Sequence, residues 1–186
     1  MNRGVWIAAS VLLTALLSAC SIGKPPPLAA QFDLGPLPKV RAAAPAPALQ
    51  LLELSAPIWL ATPGIAYRLD YVDPYRREVY RDSRWAAPPS ALLGERLRQH
   101  FADAASAVTP AVVLRLELEA FDQRFSAATR STVVLRVRAR LGEPVARQQV
   151  FEIEKASPSA DAAGAVQALA AASDELAAQL LAWARP

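Results

Sequence analysis

Cysteine, histidine and methionine each occur once in this 186-residue chain, and glycine only seven times. A single cysteine excludes an intramolecular disulfide, and one histidine with it leaves too few soft ligands for a His/Cys zinc site. The scattered glycines form no phosphate-cradling G-x-x-x-x-G-K-[ST] loop, no G-x-G-x-x-G turn and no G-x-S-x-G elbow. Lysine supplies three of the 20 cations and arginine the rest, against 17 carboxylates. The resulting formal charge of +3 is too small for a protein that must neutralise many phosphates, so no nucleic-acid partner is expected. Long apolar runs are also missing. Val5 to Leu17 is shorter than the roughly 20 residues of a spanning helix, so the 53% hydrophobic share does not imply one.

What is present begins at the N-terminus. Arg3 precedes the apolar Val5–Leu17 stretch, and Leu17-Ser18-Ala19-Cys20 follows at once. This is the layout of a secretory signal with small residues at the cleavage site. The four residues resemble a bacterial lipobox, [LVI]-[AST]-[GA]-C. The resemblance implies cleavage before Cys20, diacylation of its sulfur and a further chain on its amine. Residues 1–19 then read as signal peptide, and the mature chain of 167 residues carries a charge of +2 once Arg3 is gone. Two or three acyl chains hold firmly where one holds reversibly. Residue 21 is serine, not the aspartate that favours inner-membrane retention, which points to the inner leaflet of an outer membrane with the body facing the periplasm.

Residues 20–48 read as an acylated N-terminus and tether. Seven of the sixteen prolines fall between Pro25 and Pro47, a composition that favours extended chain, although the short Gln31–Leu34 run could add an edge strand. The folded domain is expected over residues 49–186. Leu49–Leu54 reads as a strand, as do Ile65–Tyr71, by its alternation, and Glu78–Asp82. Ser90 is a plausible N-cap for a helix to about Ala105, with Leu93, Leu97, Phe101 and Ala104 on one face. Alternation resumes in Leu114–Ala120 and Ser131–Leu141, which would set arginines beside glutamates on a wet face if paired antiparallel. Gln149–Glu154 completes a meander, and Val166, Leu169, Ser173, Leu176, Leu180 and Trp183 mark a long amphipathic helix. The expected fold is α+β, an antiparallel or mixed sheet with two principal helices packed on one face.

Catalytic signatures are thin. His100 sits late in a helix beside a core-facing phenylalanine and reads as a helix-surface residue. Glu117 and Glu119 read as a solvated strand face. Ser21-Ile22-Gly23-Lys24 matches S-x-x-K but stands next to Cys20 without S-D-N or K-T-G partners. No enzyme activity, metal or cofactor is expected beyond the covalent lipid on Cys20. All four tyrosines, by contrast, fall between Tyr67 and Tyr80, flanked by Trp59 and Trp85 and mixed with five arginines. These residue types are enriched at interfaces. Tyr75, Arg76, Arg77, Tyr80 and Trp85 are the candidate partner-binding residues, with packing beneath the following helix as the alternative for Tyr67, Tyr71 and Trp85.

The lipobox, the Pro-rich stretch, Trp85-Ala86-Ala87-Pro88-Pro89-Ser90-x-Leu92-Leu93, Leu116-Glu117-Leu118-x-x-Phe121-Asp122 and the closing Ala/Leu helix together resemble the ABC-type transport auxiliary lipoproteins. These are the accessory lipoproteins of MCE-type lipid transport, including the paraquat-inducible protein C group. The resemblance implies a non-catalytic, periplasm-facing outer-membrane lipoprotein. Its implied partners are an MCE-domain protein and inner-membrane ABC transporter subunits, with a homo-oligomer also possible. Two other readings stand beside it: a lipoprotein that carries lipid in its own cavity, and an envelope-assembly lipoprotein unrelated to transport.

Overall fold

A computed structural model describes residues 28–38, 48–105 and 111–185. The signal segment, Cys20 and positions 39–47 of the proline-rich stretch lie outside the described residues. Seven strands are formed: β1 (Ala30–Phe32), β2 (Leu49–Ser55), β3 (Gly64–Arg68), β4 (Glu78–Trp85), β5 (Val112–Ala127), β6 (Arg130–Leu141) and β7 (Arg147–Ala156). Two helices, α1 (Pro89–Ala104) and α2 (Ala162–Trp183), complete the set, with a 3-10 turn at Ile58–Leu60.

The meander β5-β6-β7 is antiparallel throughout. Its alternation places Leu114, Leu116 and Leu118 opposite Leu141, Ala139 and Val137 on one face, all buried. The same register sets Arg138 opposite Glu117 on the other face. On its far side β5 receives two strands in succession, both parallel to it. β2 pairs along Val112–Glu117 and β3 along Asp122–Arg124. β4 then pairs antiparallel with β3, and β1 parallel with β4, giving the order β1-β4-β3-β5-β6-β7 with β2 beside the first half of β5. The sheet is mixed, as expected from the sequence, with both helices on one face.

Each helix starts for a local reason. At α1 the expected Ser90 cap is not used: Pro88 holds the cap position and the helix begins at Pro89. Proline fits a first turn because its fixed φ suits the helix and its missing N–H has no partner there anyway. At α2, Asp161 accepts a hydrogen bond from the Gly164 N–H at 2.7 Å, an ordinary N-cap. A side chain at Gly164 would run into the Ser159 backbone. The buried stripe of α2 mixes Ala165, Ala168, Ala172 and Ala177 with Leu169, Leu176 and Leu180, and the alanines let the helix lie close to the sheet.

The stretch read as tether also contributes to the body. β1 sits at the sheet edge, Leu34 is buried, and Gly35 turns the chain at φ +68°. Arg96 on α1 fastens this turn: its Nη1 donates to the carbonyls of Leu34 and Gly35 at 2.8 and 3.0 Å. Its Nε and Nη2 fork onto Asp174 of α2 at 2.7 and 2.8 Å, the bidentate geometry that favours arginine over lysine. His100 Nε2 meets the same carboxylate at 2.7 Å. One buried guanidinium thus ties the N-terminal segment and both helices together. Among the described residues, no helix is long and apolar enough to cross a membrane.

Candidate interaction surface

The aromatic and arginine-rich segment forms the hairpin of β3 and β4, and the loop between them is ordered by its own hydrogen bonds. β3 ends at Arg68, sooner than the alternation through Tyr71 suggested, because the chain turns at once. The N–H groups of Val72 and Asp73 both donate to the Leu69 carbonyl at 2.8 Å, and Asp73 Oδ1 accepts from the Tyr75 N–H at 2.9 Å. Arg68 Nη1 donates across the loop to the carbonyls of Pro74 and Tyr75 at 3.1 and 3.3 Å. The loop so fixed displays apolar side chains: Tyr71 is 50% exposed, Val72 67% and Tyr75 93%. Arg76 beside them pairs with Glu78 at 2.7 Å.

On the helix side the hairpin is packed. Tyr67 and Tyr80 rings lie 4.7 Å apart, and Phe125 meets Tyr67 edge-on. The Tyr67 hydroxyl donates to Glu78 at 2.6 Å. That bond, then burial and the nearby carboxylate charge, raise the Tyr67 pKa. Tyr80 donates to Gln123 Oε1 at 2.7 Å, and burial pushes its pKa up to about 12. Gln123, fully buried, passes the chain on to Ser131 Oγ at 2.7 Å. Both phenols therefore stay neutral at physiological pH and act as hydrogen-bond donors.

The opposite face of the hairpin carries a different group. Asp122, 1% exposed, lies between Arg68 and Arg124, whose Nε atoms approach Oδ2 at 3.4 and 3.6 Å. These are long for hydrogen bonds, and neither carboxylate oxygen has a hydrogen-bond partner. Burial raises the Asp122 pKa against the pull of Arg124, Arg77 and Arg68. Arg77 also lies over the Trp59 ring at 5.6 Å, a cation–π distance. Three guanidiniums thus gather about one carboxylate.

The sequence candidates separate by depth. Tyr75 and Arg76 are exposed, and Arg77 and Tyr80 are half-buried. Trp85 is 1% exposed and packs on Phe121 at 5.5 Å between centroids, so it is a core residue and presents nothing to a partner. Its backbone N–H donates to the Pro63 carbonyl at 2.7 Å, and β1 pairs alongside. Cys20 lies outside the described residues. Asp122, Arg124 and Gln123 went unread as a group, although a polar Asp-Gln-Arg run breaking an apolar alternation was a usable signal. Among the described residues, no three His, Cys, Asp or Glu side chains gather where a metal could be held. The side chains assembled on this hairpin are ring faces, guanidinium forks and a shielded carboxylate, which are groups suited to contact and orientation.

The family model for the ABC-type transport auxiliary lipoprotein component matches residues 32–181, from the end of β1 almost to the end of α2. The chain belongs to this family. Two crystal structures share its fold. A Xanthomonas campestris protein described as DUF330 has 21% identity and a TM-score of 0.69, covering 83% of this chain and 94% of its own. An uncharacterized protein has 13% identity and a TM-score of 0.59, covering 85% and 99%. No curated protein matches the chain significantly. As a member of this family, the chain is an auxiliary component of ABC-type transport from a lipoprotein family of the cell envelope.

Proposed function

We propose that the protein is a non-catalytic auxiliary lipoprotein of an ABC/MCE-type intermembrane lipid transport system, held by acylated Cys20 in the inner leaflet of the outer membrane and facing the periplasm. The observation that carries this reading is the family match across the whole folded body, downstream of the Leu17-Ser18-Ala19-Cys20 motif. An MCE-domain protein and inner-membrane ABC subunits are the partners it implies. Among the described residues, packing speaks for an accessory role over a lipid carrier. Leu118, Leu135, Leu169, Leu176 and Leu180 fill the space between sheet and helices. The groove between β1 and α2, lined by Phe32, Leu34, Val166 and Ala170 among others, has about 370 Å³, near the lower end of small-ligand sites. The test is affinity purification of the acylated protein from solubilised membranes together with a clean deletion. Recovery of an MCE-domain protein and loss of outer-membrane lipid homeostasis or detergent resistance are expected; a deletion without phenotype and a purification without that protein would overturn the proposal.

A further inference from the structure

Resting on acylation of Cys20, the interaction surface just described can be given its occupant. We infer that the β3–β4 loop faces the bilayer, with Tyr71, Val72 and Tyr75 seated in the headgroup region of the leaflet that holds the lipid anchor.

Strand direction carries the argument. β1 runs parallel to β4, with Ala30 opposite Ser83 and Phe32 opposite Trp85. The chain therefore enters β1 from the end of the sheet where β4 begins, which is the end bearing the β3–β4 loop. Ten residues separate Cys20 from Ala30, a span of at most about 33–36 Å. From the level of Ser83 back to Glu78, five residues of strand account for about 17 Å, and the loop projects beyond. If the chain continues back along the direction that β1 sets, the anchored cysteine lies little farther out than the loop tip, which places the tip near the membrane that holds the acyl chains. Because β3 and β5 run together, the β5–β6 turn, with Ala128 and Thr129 exposed, lies at this end as well.

The chemistry of the tip fits that position. Tyrosine combines an apolar ring with a polar hydroxyl and favours the membrane–water boundary. The loop is already fixed by Leu69, Asp73 and Arg68, so little ordering cost attends its docking. The charges along the hairpin balance: over residues 68–82, Arg68, Arg76, Arg77 and Arg81 stand against Asp70, Asp73, Glu78 and Asp82. Contact is therefore apolar, with no net attraction to anionic lipid. The acyl chains hold the protein, and the loop sets its orientation.

The test uses the acylated full-length protein in vesicles of phosphatidylethanolamine and phosphatidylglycerol. With Cys20 blocked by lipid, Val72→Cys and Tyr75→Cys each offer one thiol for a fluorescent label at an exposed site that bears no packing. Val145→Cys, in the β6–β7 turn at the opposite end, is the control. Lipids carrying a nitroxide quencher should quench labels at 72 and 75 several-fold more than at 145, equally at low and high salt. Equal quenching at all three sites, or none at 72 and 75, would overturn the inference. So would a response at 72 and 75 only on adding the soluble domain of the MCE partner, which would assign the loop to a protein. Palmitate incorporation is read on the same samples. A labelled chain with an unquenched loop loses this inference and keeps the anchor; an unlabelled chain loses both.

Discussion

The two faces of the one sheet are held by different forces. Under the helices, β5, β6 and β7 present Leu116, Leu118, Leu135, Val137, Phe151 and Ile153, nearly inaccessible to solvent. On the other face the same strands present a ladder of charge. Arg136 bridges Glu119 and Glu152 at 2.8 and 2.7 Å, and Arg138 pairs with Glu119 at 2.6 Å. Burial of apolar area is the large term in folding, whereas exposed ion pairs contribute little. The difference shows where this fold tolerates change. The helix side specifies the structure, and the charged face and the loop at its end are free to be shaped by contacts outside the molecule.

That contrast can be broken by substitution. Trp85→Ala should have the largest effect, about 3–5 kcal/mol by denaturant unfolding, through the cavity left against Phe121; a loss under 1 kcal/mol (about a third of the low end) would mean that the helix side is not the stabilising one. Arg96→Ala should cost about 3 kcal/mol, because it takes two hydrogen bonds from the Asp174 carboxylate, leaving His100 alone on it, and strands two carbonyls. The same clamp sets a pH dependence. Burial raises the Asp174 pKa, but hydrogen bonds from Arg96 and His100 and their charges outweigh it, leaving the value below the ordinary one. Its stabilisation is present above the ordinary carboxylate range and lost as pH falls through the depressed value. Asp122 runs oppositely: its raised pKa favours the folded state below the ordinary range, and that contribution is lost as pH rises. Thermal unfolding against pH should therefore show a flatter acid limb for Asp174→Asn and a steeper one for Asp122→Asn. Asp161→Ala, which removes the α2 cap, should cost about 1 kcal/mol. Arg138→Ala on the charged face should cost at most about 1 kcal/mol; a larger loss would put the charged face on a par with the core.

Regular pattern was legible and irregular pairing was not. The alternation in Ser131–Leu141 placed Val133, Leu135, Val137, Ala139 and Leu141 of β6 inward, and the stripe from Val166 to Trp183 placed α2, because burial on one face leaves a period in the sequence. The second half of β5 was missed for a physical reason. A bulge between Leu118 and Ala120 shifts the register, so the inward side passes from Leu114, Leu116 and Leu118 to Phe121, Gln123 and Phe125. Asp122 turns to the opposite face and the alternation ends. The parallel placement of β2 and β3 along one edge of β5 leaves no local trace, since it depends on chain crossings between distant segments. At the hairpin, composition located Tyr75 and Arg76 at the surface. It left Trp85 open between the surface and packing beneath the helix, because pairing with β1 and the reach to Phe121, which settle it, are tertiary facts. Asp122 gathers Arg68 of β3, Arg77 just before β4 and Arg124 of its own strand, and no spacing in the sequence announces that.

The proposed position in the envelope, partner access and orientation of the β3–β4 loop all depend on lipid at Cys20. The mass of the N-terminal peptide of the protein extracted from membranes decides it. A peptide that begins at Cys20 and carries a diacylglyceryl group is the expected result; one that retains residues before Cys20, or bears an unmodified thiol there, would contradict the anchored orientation proposed for this molecule.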